Sequence, residues 1–342
     1  MKKVARSMVL LLMSVLLVFT LTACSQNSVD QQADESAADA NFKPFIVPNF
    51  NRQVSIEKIP QSVFVVSTTN AEILLALGLE DKIVGVAPDM SQQVAPEYQD
   101  IWNSLNVVGE EVTAAGGVFT GYPTFEEIVA TNPDFIYANI LTLGDSGKIT
   151  ALSNVEKTGI PIYLSSVYSM PNTKMDDVYT EILTLGRIFD VEKRAEELVG
   201  EMAAKVNSVS ENLGEIEKPV PIFVYDSEDA GMIFTAGSAA LSDFISLAGG
   251  NNIFSDASKA WLFANKEKII DSKPEIIVII NYGEVSAEDK IASIKQNPLF
   301  SELPAVVNDK IIVVDISETL AGIRSADCVK KLATAFYPEK FE

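Results

Sequence analysis

A nine-residue segment that occurs twice constrains the fold of this chain more than any other feature of the sequence. Residues 126–134 read EEIVATNPD, and residues 267–275, at a constant offset of 141 positions, read EKIIDSKPE. Each copy has helical apolar spacing, ends near a proline and leads into an apolar run typical of a buried strand. The sequence therefore predicts one supersecondary unit used twice, so that equivalent edges of two lobes face a common partner.

Strand-like and helix-like segments alternate around both copies. Strands are predicted at 62–66, 83–86, 135–138 and 162–164 in the first half, and at 222–225, 276–280 and 311–314 in the second. Helices are predicted at 71–77, 124–130, 238–248 and near 325–336. This alternation indicates an α/β fold with mostly parallel sheets.

The longest helical pattern lies between the two halves. Apolar residues recur at three- and four-residue spacing from Val191 to Leu213, and Gly214 is a stop signal. Such a helix spans about 35 Å, the width of a small domain. We therefore predict two Rossmann-like lobes joined by a single long α-helix. The predicted boundaries are 51–190 for the N-terminal lobe, 191–214 for the helix and 215–342 for the C-terminal lobe. The alternative is one more packing helix inside a single domain.

The N-terminus has the layout of an export signal. Basic residues from Lys2 to Arg6 precede an apolar run of about 14 residues that ends at Leu21. That run is shorter than the roughly 20 residues of a membrane-spanning helix. The residues from Leu21 to Cys24, LTAC, resemble a bacterial lipoprotein lipobox, which implies cleavage of a signal peptide at 1–23 and acylation, as with palmitate, at Cys24. The alternative is an ordinary signal peptide with a chance cysteine.

Residues 24–50 are predicted to be a disordered tether, because 25–41 are polar, small and acidic. The expected location is therefore the cell membrane, with the folded part lipid-anchored on the extracytoplasmic face.

Composition excludes several function classes. Lys and Arg total 26 against 47 Asp and Glu, a formal net charge of −21, which argues against nucleic acid or an anionic membrane surface as a partner. Histidine is absent, so serine–histidine catalysis, imidazole zinc sites and histidine-ligated haem are excluded within this chain. With Cys24 acylated, Cys328 has no disulfide partner and is predicted to be a small buried hydrophobe.

Enzyme signatures are also missing from the sequence. It contains no phosphate-binding loop and no G-x-S-x-G elbow. We predict a protein that is not an enzyme and that holds no metal or cofactor of its own.

Five segments, in a fixed order, carry a family resemblance. They are VVSTTNAEILLALGLEDKIVGV at 65–86, YPTFEEIVATNPDFIYA at 122–138, LAGGNNIF at 247–254, WLFANKEKIIDSKPEIIVI at 261–279 and YPEKF at 337–341. They resemble the type 2 periplasmic binding proteins with a helical backbone, which deliver iron–siderophore, haem or cobalamin to ABC importers. The resemblance covers most of residues 55–340. It implies a rigid two-lobed clamp with the ligand in the cleft between the lobes.

The resemblance also implies partners. In that family one glutamate on each lobe docks onto arginines of the membrane permease, and Glu126 and Glu267 are the matching positions. The alternative is helix-dipole compensation, worth about 0.3–1 kcal/mol, because each lies in the first turn of a predicted helix. The expected partners are the permease with its ATPase and a small metal-chelate ligand. The protein is expected to be a monomer that contacts the membrane only through its lipid.

The family pattern points to ligand-binding residues in both lobes. They are Thr68, Thr69, Asn70, Gly117 and Tyr122 in the first lobe, and Phe234, Thr235, Trp261 and Arg324 in the second. Tyr122 and Trp261 are predicted to stack on a planar ligand, and Arg324 to meet an anionic one. The structural alternatives are a helix cap for Thr69 or Asn70, a core position for Trp261 and a surface charge for Arg324.

The candidate ligands differ in the metal-ligating side chains that they require from the protein. A ferric siderophore or cobalamin brings its own metal, whereas haem needs a tyrosine or methionine ligand here. We rank a ferric siderophore first and cobalamin second, and the few basic residues count against a highly anionic catecholate complex. Two other classes compete. A cell-envelope lipoprotein enzyme predicts clustered catalytic carboxylates or a metal site, and an envelope scaffold predicts no deep cleft.

Overall fold

The computed structural model describes residues 42–89, 93–110, 112–115 and 118–341. The strands in these residues are β1 (Phe45–Asn49), β2 (Arg52–Ile56), β3 (Val63–Val66), β4 (Ile83–Ala87), β5 (Thr113–Ala115), β6 (Val118–Thr120), β7 (Phe135–Ala138), β8 (Ile162–Leu164), β9 (Val220–Tyr225), β10 (Ser227–Asp229), β11 (Met232–Ala236), β12 (Gly250–Asn252), β13 (Trp261–Phe263), β14 (Ile276–Asn281) and β15 (Ile311–Asp315).

The α-helices in the same residues are α1 (Thr68–Ala76), α2 (Gln99–Trp102), α3 (Phe125–Ala130), α4 (Ile140–Leu143), α5 (Leu152–Glu156), α6 (Met175–Ile188), α7 (Glu192–Leu213), α8 (Ala240–Leu247), α9 (Lys266–Ser272), α10 (Ala287–Gln296), α11 (Pro304–Val307), α12 (Ile316–Thr319) and α13 (Ser325–Phe336). Short 3₁₀ turns occur at Glu80–Lys82, Pro96–Tyr98 and Pro338–Lys340. No helix among the described residues is both long and apolar enough to cross a membrane.

The structure corrects the end of the predicted tether. The predicted signal peptide, Cys24 and the tether up to residue 41 lie outside the described residues. The predicted tether ran to residue 50, yet β1 lies within it and pairs with β2. The Asn49 side-chain amide donates to the Leu164 carbonyl at 2.7 Å, and its Oδ1 accepts from the Leu164 N–H at 2.9 Å. These buried hydrogen bonds hold β1 against β8. Composition alone could not predict them, because they join residues that are far apart in the sequence.

The first half contains a four-stranded parallel sheet in the order β4-β3-β7-β8. Every residue of β3 and β7 is buried, because helices and loops cover both faces of a parallel sheet. Phe64, Ile136 and Leu164 from three of these strands belong to the same apolar core.

The second half repeats this topology. Its parallel sheet has the order β12-β9-β14-β15. When the four strands of each sheet are numbered along the chain, both sheets have the spatial order 2-1-3-4. The two copies of the repeated segment form α3 and α9, and each of these helices leads into the third strand of its sheet, β7 or β14. The predicted repeat is therefore one topology used twice.

The long helix α7 contacts both halves. Its buried residues are Ala195, Leu198, Met202, Val209 and Leu213, which form one stripe of helical spacing. The Arg194 guanidinium donates to the Ala76 carbonyl of α1 at 2.9 Å, and Lys205 pairs with Asp327 of α13. The predicted α/β class, with two parallel-sheet lobes joined by this helix, is confirmed. The residue numbers chosen for the lobe boundaries stay predictions.

Both sheets and α7 belong to one compact unit, which consists of Ile46–Ser55 and the chain from Pro60 onward. Two small antiparallel elements were not predicted: the β5–β6 hairpin and a sheet in the order β10-β11-β13. The sheet β10-β11-β13 contributes residues to one of the cavities described below.

Candidate functional site

A large cavity lies at the carboxyl ends of the parallel strands. The residues after β4, β14 and β15 line it, and its volume is about 870 Å³. It is lined by Asp89, Val94 and Glu110 from the first half and by Tyr282, Glu284 and Asp315 from the second. Ligands in α/β proteins bind preferentially at this end of the sheet. The cavity is therefore a candidate binding site to which both halves contribute.

A second cavity, of about 500 Å³, lies beside β11 and β13. Phe234 and Trp261 stack there, with ring centroids 6.2 Å apart and planes inclined by 19°. Phe263, which is 58% exposed, packs edge-on against Phe234 at 5.4 Å. We call Phe234, Trp261 and Phe263 the aromatic surface, and it can stack on a planar or apolar ligand.

The buried carboxylate of Asp89 lies in the wall of the larger cavity. Asp89 is 2% exposed, and its oxygens accept hydrogen bonds from the Tyr122 hydroxyl at 2.6 Å and from the Tyr168 hydroxyl. Burial, together with the Asp89 charge, raises the pKa of Tyr122 well above its usual value. Tyr122 is thus held as a neutral phenol whose proton is directed at Asp89.

A similar arrangement holds Tyr282 in the second half. Its hydroxyl donates at 2.7 Å to Asp226, which also accepts from the Ser227 hydroxyl at 2.9 Å. Burial raises the pKa of Asp226, and these two hydrogen bonds and the Lys290 charge oppose that rise. The Lys290 ammonium donates to the carbonyls of Asp226 and Ile280 and lies 4.5 Å from the centre of the Tyr282 ring. Sequence reasoning missed both aspartates, because acidic residues are common throughout this chain.

An ion pair joins the two halves at the cavity. Arg324, just before α13, donates from Nε to Glu72 of α1 at 3.0 Å and makes a second bond to it from Nη2. Its remaining bonds go to the Ser317 hydroxyl at 3.0 Å and the Gln93 carbonyl at 2.7 Å. Burial raises the pKa of Glu72, and Arg324 opposes that rise. Arg324 does line the cavity, but its charge is already paired within the protein, and its predicted role toward an anionic ligand stays a prediction.

Four predicted ligand residues are buried in packing positions. Thr68, Thr69, Asn70 and Thr235 are each at most 2% exposed, and none of them lines either cavity. Ser67 is the N-cap of α1, with φ of 91°, so the predicted loop at 68–70 is the first turn of that helix. Burial places these residues in the packed interior, and a ligand role for them stays a prediction.

Specific contacts explain the burial of Asn70, Thr235 and Thr69. The Asn70 side chain donates to the Val66 carbonyl at 2.9 Å, and the Thr235 hydroxyl donates to the Val224 carbonyl at 2.6 Å. A Cβ at Gly322 would lie 2.6 Å from Cγ2 of Thr69, so the loop before α13 approaches α1 closely at this point.

The other predicted ligand residues divide between the two cavities. Phe234 and Trp261 lie together at the smaller one, and Arg324 lies at the larger one. Tyr122 lines neither cavity, but its hydroxyl donates to Asp89, which lies in the wall of the larger one. Gly117 lies outside the described residues. Sequence reasoning missed Phe263, since β13 was not predicted.

The two predicted docking glutamates occupy equivalent positions. Glu126 and Glu267 are both exposed, and each is the second residue of its helix, α3 or α9. Other residues cap these helices: Glu127 forms a capping box with Thr124, and Asn265 accepts from the Lys268 N–H at 3.0 Å. Neither glutamate is needed as a cap, and the docking role stays a prediction.

Within the described residues, no group of three or more Cys, Asp or Glu side chains is arranged to hold a metal ion.

The chain matches the periplasmic binding protein family over residues 63–317. It is 23% identical over 333 residues to YvrC of Bacillus subtilis, an uncharacterised ABC transporter substrate-binding lipoprotein, with 96% of this chain and 97% of that protein covered.

Two further similarities agree with this match. The vitamin B12-binding protein of Yersinia pseudotuberculosis is 23% identical over 238 residues, covering 68% of this chain and 73% of that one. The crystal structure of an ABC-type Fe³⁺-hydroxamate transport system from Saccharomonospora viridis has a TM-score of 0.70 at 23% identity, covering 86% of this chain and 99% of that one. The fold, the cavity at the strand ends and a family match across most of the chain agree, and this chain belongs to the periplasmic binding protein family.

Proposed function

We propose that this chain is the extracytoplasmic substrate-binding protein of an ABC importer, and that it captures a metal chelate without catalysing a reaction. The observation that carries the proposal is the cavity of about 870 Å³ to which both parallel-sheet halves contribute, in a chain of the periplasmic binding protein family. Small-molecule sites typically have volumes of about 300–1,000 Å³. The cavity is therefore large enough for a compact chelate.

Similarity to YvrC supports two parts of this proposal. That protein is named as an ABC transporter substrate-binding lipoprotein, and it matches this chain over almost its whole length. A permease with its ATPase is therefore the proposed partner, and acylated Cys24 the proposed anchor. The mass of the N-terminal peptide from the membrane-extracted protein tests the anchor, because an unmodified Cys24 contradicts it.

A ferric siderophore is the proposed ligand. The structural similarity to a protein described as an Fe³⁺-hydroxamate transport system supports it. A siderophore surrounds its iron, so the protein has to supply only complementary polar and aromatic surface. The aromatic surface and the polar wall of the larger cavity offer both kinds of contact.

Cobalamin is the second candidate, because this chain is similar to a vitamin B12-binding protein and because the aromatic surface suits a large, partly apolar ligand. Haem ranks below it. An axial phenolate would have to come from a tyrosine, yet the hydroxyls of Tyr122 and Tyr282 donate to buried carboxylates. Burial and those carboxylates also raise the pKa of both phenols, which opposes their ionisation.

The test is the visible absorption of the purified protein after it has been mixed with a ferric hydroxamate, cobalamin or haem and passed through a desalting column. The ferric chelate is expected to co-elute with the protein in a one-to-one ratio. Co-elution of cobalamin or haem alone would replace the proposed ligand, and co-elution of none of the three would contradict the proposal.

A further inference from the structure

We infer that the larger cavity selects a positively charged chelate, namely a ferric complex that carries a free ammonium group, over neutral and anionic chelates. This inference rests on the proposed function and narrows it to one ligand class.

The wall of the larger cavity is predominantly negative. Four acidic residues and one arginine line it among the residues that the structure describes: Asp89, Glu110, Glu284, Asp315 and Arg324. Both halves contribute carboxylates, so a ligand in the cavity meets negative charge from two directions. An anionic ligand would meet like charges at short range in a partly desolvated site, which disfavours its binding.

The positive groups near the larger cavity are already paired within the protein. The Arg324 guanidinium is bonded to the buried Glu72 carboxylate, whose side chain is 2% exposed. Lys290 is 4% exposed, and its ammonium donates to the carbonyls of Asp226 and Ile280 and lies 4.5 Å from the centre of the Tyr282 ring. A ligand carboxylate or catecholate could recruit Arg324 only by separating it from Glu72.

The hydrogen-bonding groups of the cavity wall also favour a donor on the ligand. The Tyr282 hydroxyl is committed as a donor to Asp226, and the Asn281 amide donates to Asp315 at 2.9 Å. The Tyr282 oxygen therefore presents lone pairs rather than its proton to the cavity. A ligand N–H donor matches such a wall better than an acceptor does.

Two carboxylates are available to a ligand ammonium. Glu110 and Glu284 are exposed, come from opposite halves, and make no side-chain hydrogen bond or ion pair to any residue that the structure describes. Asp89 and Asp315 are instead occupied by tyrosines or by the cap of α12. Glu110 and Glu284 are therefore the residues that we assign to the charge preference.

A matched pair of probes tests the inference. Ferrioxamine B is a ferric trihydroxamate with one free ammonium, and its N-acetyl derivative has the same iron cage without that charge. Equilibrium dialysis of the iron-55 complexes measures both affinities without relying on tryptophan fluorescence, since Trp261 lines the smaller cavity and not the larger one. Ferrioxamine B is expected to bind about tenfold more tightly at low salt, because each partly exposed ion pair contributes a factor of about two to five. High salt should reduce that preference by screening.

Variants then identify the source of the preference. Glu110→Gln with Glu284→Gln is expected to bring the two affinities within about twofold of each other. Glu211→Gln with Glu215→Gln removes two exposed carboxylates at the end of α7 and just beyond it, and this control is expected to keep the preference. Thermal unfolding of both double variants verifies that they are folded.

The outcomes separate the inference from the proposed function. Equal or tighter binding of the acetylated chelate, or tighter binding of an anionic ferric catecholate, overturns the inference and leaves the proposed function standing. Loss of the preference in the Glu211 and Glu215 control also overturns it. Failure of every ferric chelate to bind contradicts the inference and the proposed siderophore ligand together.

Discussion

The two halves of this protein share a scaffold but present different chemistry. Both have four parallel strands in the same order, and both place the repeated helix, α3 or α9, before the third strand. The second half adds the antiparallel sheet that holds the aromatic surface. The first half instead supplies Glu72, which neutralises the arginine of the second. The repeated topology thus builds the site, while the unshared residues determine what the site can bind.

The largest expected effect concerns the ion pair between the halves. Arg324→Ala leaves the Glu72 carboxylate buried without its cation, and we expect the free energy of unfolding to fall by about 3 kcal/mol. Urea denaturation measures it. Glu72→Gln with Arg324→Gln should cost less than the sum of the two single changes, because the residues interact directly. Strictly additive effects would show that the pair does not couple the halves.

The next effect concerns the aromatic surface of the second half. Trp261→Ala removes the ring that stacks on Phe234, and we expect the affinity for a ferric hydroxamate to fall about twentyfold. Equilibrium dialysis with the iron-55 complex measures it without relying on tryptophan fluorescence. Trp102→Phe, in the first half, is the control and should bind like the unmodified protein. Unchanged affinity in Trp261→Ala would remove the aromatic surface from the site.

A third effect concerns a feature that the halves share. Glu126→Ala with Glu267→Ala should leave chelate affinity unchanged but lower iron uptake by cells about tenfold, because each exposed glutamate is proposed to contact the permease. Glu127→Ala is a matched control, since Glu127 caps α3 beside Glu126 and should affect stability rather than uptake. Normal uptake in the double variant would contradict docking through these residues.

The smallest expected effect concerns Phe263 of the aromatic surface. Phe263→Leu keeps an apolar side chain at this exposed position but removes the ring that packs edge-on against Phe234. We expect an affinity about threefold weaker and an unchanged melting temperature. A loss as large as that of Trp261→Ala would mean that Phe263 contacts the ligand directly.

The scaffold could be predicted because its signals are local. Apolar runs bounded by turn residues located most strands of both parallel sheets, and helical spacing located α7 to within one residue at its start. The repeat at 126–134 and 267–275 predicted equivalent helices, and the structure shows them as α3 and α9. β1 and the antiparallel strands around 227–236 were missed, although each pairs with a close neighbour in the sequence: β1 contains a proline and lies next to the polar segment, and β10 reads SED, which has no apolar run.

The side-chain contacts around the two cavities could be predicted less well, for physical reasons. Glu72 and Arg324 are 252 residues apart, so no local pattern links them. Tyr168 and Asp89 are 79 residues apart and follow strands at opposite edges of one sheet, β8 and β4, so no local pattern links them either. The family resemblance assigned Thr68 to Asn70 to the ligand; the backbone forms the first turn of α1 there and buries these side chains, and the assignment stays a prediction. The predicted aromatic residues Phe234 and Trp261 do line a cavity. They are brought together there by the pairing of β11 with β13, which the sequence did not predict.

The most direct test of the central claim is hydrogen–deuterium exchange of the protein with and without a saturating ferric hydroxamate. The account predicts new protection in the segments that line the larger cavity, 107–110 in the first half and 281–284 and 315–317 in the second, together with 261–263 at the aromatic surface. Protection confined to one half, or its absence from all of these segments while the chelate is bound, would contradict a site to which both halves contribute.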